Sequence, residues 1–136
     1  MDAILDWYVK DRVILHRPVG VLSLEMVQQN NDHIIEMLGK GSPPIHILAD
    51  ARLITKLPTN LLKMSQSTSF FKHPALGWVV IVTTNSTINF LGNMLPQINA
   101  LQHYRVLSEF DKGITFLKEQ DSTVDWTSIN QQLFEE

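Results

Sequence analysis

Two short apolar runs set the limits on this fold. Ile45-His46-Ile47-Leu48-Ala49 lies between the breakers Gly41, Pro43 and Pro44 and the acid Asp50. A mostly apolar run of that length lacks the polar alternation of a half-solvated strand, so it predicts a central strand covered on both faces. Gly77-Trp78-Val79-Val80-Ile81-Val82 is the strongest strand signal in the chain. Segments of helical period separate such runs, and strands alternating with helices imply crossover connections and a mostly parallel sheet.

The remaining elements fit that frame. Ile4-Leu5-Asp6-Trp7-Tyr8-Val9 and Arg12-Val13-Ile14-Leu15-His16 read as a hairpin about Lys10 and Asp11. Beyond Pro18 and Gly20, Leu24, Val27, Ile34, Ile35 and Leu38 fall near helical spacing, with Ser23 as the predicted cap and Gly39, Gly41, Pro43 and Pro44 as the stop. Thr59 is the predicted cap of a second helix, ended by His73-Pro74. Ser86 is the predicted cap of a third, whose apolar positions Phe90, Leu91, Met94, Leu95, Ile98 and Leu101 are interrupted by Pro96. That proline predicts a kink or restart, with Gly92 easing the crowding at the carbonyl it faces. Tyr104-Arg105-Val106-Leu107 makes a last strand, and Asp111 is placed to cap a helix with Ile114, Phe116 and Leu117. The order is ββαβαβαβα, a mixed α/β sheet of about five strands with packed helices. Residues 1–120 form one domain, and residues 121–136 an acidic tail in which Trp126, Ile129 and Leu133 offer a docking face.

At 136 residues the chain is long enough to bury a core without staples. Its hydrophobic content of 44% against 18% charged residues argues against disorder. With no Cys, disulfides, thiolate metal sites and cysteine nucleophiles fall away. The longest apolar stretch is far short of the ~20 residues of a membrane helix, and Met1-Asp2-Ala3 opens no signal peptide, so a cytoplasmic location is expected.

Charge is unevenly spread. Residues 51–108 contain five basic residues and no acid, whereas residues 109–136 contain seven acids and two bases. Arg52, Lys56, Lys63 and Lys72 fall in the loop and helix after the Ile45–Ala49 run, where open α/β sheets border their ligand crevice. Such a stretch is either a solvated face neutralised within the molecule or an attractive surface for an acidic protein or an anionic ligand. An acidic pI near 5.9 and the lack of an aromatic-and-basic motif argue against nucleic acid. Opposite charge on the middle and tail is compatible with a homo-oligomer.

No catalytic motif stands out. The five histidines, His16, His33, His46, His73 and His103, show no metal-ligand spacing, no Gly-x-Ser-x-Gly elbow is present, and no cofactor is implied. Asp50 closes the central strand where switch or catalytic carboxylates often lie, although turn formation uses Asp there equally well. Thr59 is either a cap or a hydroxyl placed for phosphate at a helix start.

The hairpin, Gly20-Val21-Leu22-Ser23-Leu24-Glu25 before the first helix, the strand ending in Asp50, and Phe110-Asp111-Lys112-Gly113-Ile114-Thr115-Phe116-Leu117 together resemble the STAS-type, SpoIIAA-like family over roughly residues 4–120. The resemblance implies a mixed sheet packed with helices. It also implies one of two activities: partner switching by an anti-anti-sigma module, or binding of apolar or lipid-like ligands. Partner-switching members have Asp-Ser-Ser/Thr-Gly at the start of the helix after the Asp strand; this chain has Pro58-Thr59-Asn60-Leu61, so Thr59 alone keeps a hydroxyl. The leading expectation is therefore a non-enzymatic regulatory or protein-interaction module that contacts a partner through residues 51–72. The alternative is a carrier of a small apolar ligand, with a pocket beside Phe90, Leu91, Met94 and Leu95.

Overall fold

Strand β1 (Ile4–Val9) turns into β2 (Val13–Arg17), and the two pair antiparallel from Ile4 opposite Arg17 to Val9 opposite Val13. Asp11 makes this turn at φ 67°, in the left-handed region that Asp tolerates better than most side chains. In this computed structural model, which describes residues 2–134, the chain continues through β3 (Gly20–Val21), α1 (Leu24–Lys40), β4 (Ile45–Asp50), β5 (Ile54–Lys56) and α2 (Leu61–Gln66). A 3-10 turn (Ser69–Lys72), β6 (Leu76–Val82), α3 (Ser86–Ile98), β7 (Tyr104–Leu107), α4 (Phe110–Gln120) and a 3-10 turn (Gln131–Phe134) follow.

The fold is α/β. A five-stranded mixed sheet runs β1-β2-β4-β6-β7, parallel at every pairing except the first, with β4 at its centre. Strand alternation divides the core. Ile14, Ile45, Ile47, Val79 and Ile81 face α1, α2, the first 3-10 turn and α3. Val13, Leu15, Leu48, Val80 and Val82 face α4 and the segment after it. Leu117 of α4 is wholly buried there, a burial that contributes on the order of 2 kcal/mol. A Cβ on Gly113 would lie 3.1 Å from Val80 Cγ1 and 3.2 Å from Leu48 Cδ1, so this residue lets α4 sit close on the sheet.

Several local expectations are corrected. Short β3 and β5 were not foreseen; they pair with each other as a separate two-stranded parallel sheet. Ser23 does cap α1, accepting the Met26 N–H at 3.2 Å. The cap of α2 is Asn60 rather than Thr59, and that of α3 is Asn85 rather than Ser86, because in each case the Asn carbonyl reaches the free amides of the first turn. Glu109 rather than Asp111 occupies the cap position of α4, without a side-chain bond. Pro96 lies within the last turn of α3, where the helix is about to stop, so it forces no restart. Gly92 packs against the sheet instead of relieving Pro96: a Cβ there would be 3.3 Å from Ile81 Cδ1.

The acidic tail is part of the packed body as far as it is described, and residues 135 and 136 lie outside the described residues. Val124 is buried, and Trp126 and Ile129 pack on the α4 face of the core. Ile129 bridges Val9, and the Asn130 N–H donates to the Tyr8 carbonyl at 2.9 Å, so the segment runs along the outer edge of β1.

Candidate functional site

Small residues open a space on the helical face of the sheet. Ala49 of β4 sits between His16 of β2 and Ile81 of β6 in register, and Gly92 of α3 stands over Ile81. A cavity of about 130 Å³ lies at this place, bounded by Val27 and Ile34 of α1, Phe70 and Phe71 of the 3-10 turn, and Ile88, Leu91 and Leu95 of α3. Its surface is almost entirely apolar.

The two-stranded sheet forms a flap beside this space. Gly20 donates its N–H to the Leu53 carbonyl and Leu22 to that of Lys56, both at 2.9 Å, which holds the two short strands together. Leu22, Ile54 and Leu57, in and next to those strands, contribute apolar side chains to the lining.

Most polar side chains of the lining are already committed. Asn31 donates to Ser69 Oγ at 3.1 Å and accepts the Phe70 N–H at 2.9 Å, while the Thr68 hydroxyl donates to the Met64 carbonyl. Three buried side-chain nitrogens have no hydrogen-bond partner among the described residues, at His16 Nε2, Arg17 Nε and Trp126 Nε1. Of these residues, His16 alone lines the cavity. Burial, reinforced by His33, pushes the His16 imidazole down to about 4, so the ring is neutral near pH 7.

The expected pocket residues divide between two faces of α3. Leu91 and Leu95 line the cavity, but Phe90 is 56% exposed and Met94 is not in the lining. The signal that was missed is His16 itself. In Val13-Ile14-Leu15-His16 it shares the face of Ile14, a core face where a lone histidine is unusual.

The four basic residues differ in their surroundings. Arg52 binds Asp50 through two bonds of 2.8 Å and stacks over Phe110 at 5.4 Å, so its charge is met within the molecule. Asp50 is 1% exposed; burial alone would raise its carboxyl, but the Arg52 bonds and the nearby Arg17 charge hold it below the usual carboxylate range. Both carboxylate oxygens of Asp50 are thus engaged within the molecule. Lys56, Lys63 and Lys72 are exposed and have no ion-pair partner among the described residues. Thr59 is exposed in the loop before α2.

Among the described residues, no three His, Asp or Glu side chains gather in a metal-binding cluster, and no helix is long and apolar enough to cross a membrane. Comparison of the chain with protein-family models gives no match, and comparison with curated proteins gives none either.

Proposed function

We propose that this protein is a non-enzymatic binding module for a small apolar molecule, held between the sheet, α1 and α3 beside the β3–β5 flap. The observation that carries this reading is the cavity of about 130 Å³ with its nearly all-apolar lining. A core cavity of about 150 Å³ lined by aliphatic and aromatic side chains takes up benzene, so the space suits a ligand of one ring or a short branched chain. In terms of the STAS-type resemblance, the reading favours relatives that hold apolar ligands over partner-switching members. The test is thermal unfolding of the intact chain with and without saturating benzene, alongside native mass spectrometry of freshly purified protein. A benzene-dependent rise in melting temperature is expected, because a ligand that binds only the native state stabilises it by mass action. No rise, together with a bare protein mass, would remove the proposal.

A second reading is supported by the unpaired charges of Lys56, Lys63 and Lys72. They suit an acidic protein partner, in a contact that weakens as salt rises. Salt-independent capture of such a partner would count against it.

A further inference from the structure

The cavity's chemistry narrows the ligand further. We infer that the bound molecule carries one neutral hydrogen-bonding group, a hydroxyl above all, that meets Nε2 of His16 while its apolar body fills the space beneath α3. This inference rests on the proposed apolar-ligand reading.

His16 stands in β2 with Leu5 of β1 on one side and Ala49 of β4 on the other, and its Nε2 is buried without a partner. Of the other polar side chains in the lining, Asn31 and Thr68 already hold bonds within the protein, both oxygens of Asp50 are taken by Arg52, and Asn30 is only half-buried. A buried polar atom left unpaired is unfavourable, and a ligand group that bonds to it gains both the bond and the relief.

The same surroundings select against charge. No Lys or Arg lines the cavity. Arg17 is the next residue of β2, so alternation directs its side chain to the opposite face of the sheet. An anionic ligand would therefore be buried without a cation beside it. A neutral imidazole offers at Nε2 either a lone pair or an N–H according to its tautomer, and a hydroxyl complements either one.

Binding of benzene, phenol and benzoate to the intact chain, measured by calorimetry, tests this assignment. Phenol is expected to bind at least tenfold more tightly than benzene although it is the better hydrated of the two, and benzoate more weakly than either. His16→Phe should abolish the phenol preference. In the unmodified protein, phenol and not benzene should shift the ¹⁵N resonance of the His16 ring, a readout that stands even if the variant fails to fold. Equal affinity for phenol and benzene, a preference that survives His16→Phe, an unmoved ring resonance, or tighter binding of benzoate would overturn the inference while leaving the cavity reading in place. Failure of all three probes to bind would remove both.

Discussion

His46 Nε2 lies 2.8 Å from Asp121 Oδ2, while His46 Nδ1 accepts the backbone N–H of Trp78 at 2.9 Å. The second bond requires a lone pair on Nδ1, so the proton sits on Nε2 and is donated to the carboxylate. Arg12 Nη2 reaches the same carboxylate oxygen at 3.0 Å, and the Thr123 N–H bonds the other oxygen. These contacts fasten the start of the C-terminal segment to the sheet through β4 and the β1–β2 turn.

Removing that carboxylate should therefore loosen the segment. Asp121→Ala leaves the buried His46 N–H without its acceptor and removes the Arg12 ion pair, although Arg12 keeps its bonds to Pro44 and Thr123, a loss of about 2 kcal/mol. Urea unfolding should show the drop. Hydrogen exchange should show earlier loss of protection at the Asn130 amide, which now donates to Tyr8.

Acid should weaken the fold in two separate windows. Burial pushes His16 down to about 4, and it also lowers His46 against the opposing pull of Asp121. In the unfolded chain these rings take up protons near pH 6.5, so between that pH and about 4 the unfolded state binds more protons and stability falls as pH falls. For His16 alone the loss amounts to on the order of 3 kcal/mol. Burial raises Asp121, but bonds from Thr123 and His46 more than offset this and hold it at about 2. Its stabilisation is present above the unfolded carboxyl range near 4 and is lost only as pH falls toward 2. Urea midpoints across the first window should decline, and His16→Phe should flatten part of that decline. An unchanged slope in the variant would show that other groups take up the protons.

The strands and longer helices were legible because they rest on strong periodic signals. Ile45–Ala49 and Gly77–Val82 carry the parallel core, and the alternation Val79, Val80, Ile81, Val82 assigns residues to its two faces. The β3–β5 flap was not legible. Gly20 and Val21 offer too few residues to show a period, and they pair only because the chain after Asp50 returns beside them. The site was half legible. Leu91 and Leu95 follow from α3 periodicity, but the cavity also needs Ala49 opposite His16, a cross-strand register that no local pattern in either segment states. The basic stretch was visible as composition, whereas the Arg52–Asp50 bonds that remove one of its charges depend on the turn after β4.

Cap assignments can be separated by substitution. Asn85 Oδ1 accepts the Thr87 and Ile88 amides at 2.9 and 3.1 Å, whereas Ser86 is the first helical residue of α3. Asn85→Ala should cost about 1 kcal/mol in unfolding free energy, and Ser86→Ala less than about 0.5 kcal/mol. The reverse order in thermal or urea unfolding would return the cap to Ser86.

Filling the cavity should uncouple binding from stability. Ala49 is flanked in register by His16 and Ile81, and its small side chain leaves room below Leu91 and Leu95. Ala49→Leu adds three carbons on the cavity side. Each buried methylene is worth about 0.8 kcal/mol, opposed by about 1–3 kcal/mol of strain if the new side chain must leave its preferred rotamer. The two contributions nearly cancel, so the variant should unfold within about 1 kcal/mol of the parent while losing the benzene-induced rise in melting temperature. A loss of more than about 2 kcal/mol would mean that residue 49 is already close-packed, and retained benzene binding at unchanged stability would locate the ligand elsewhere.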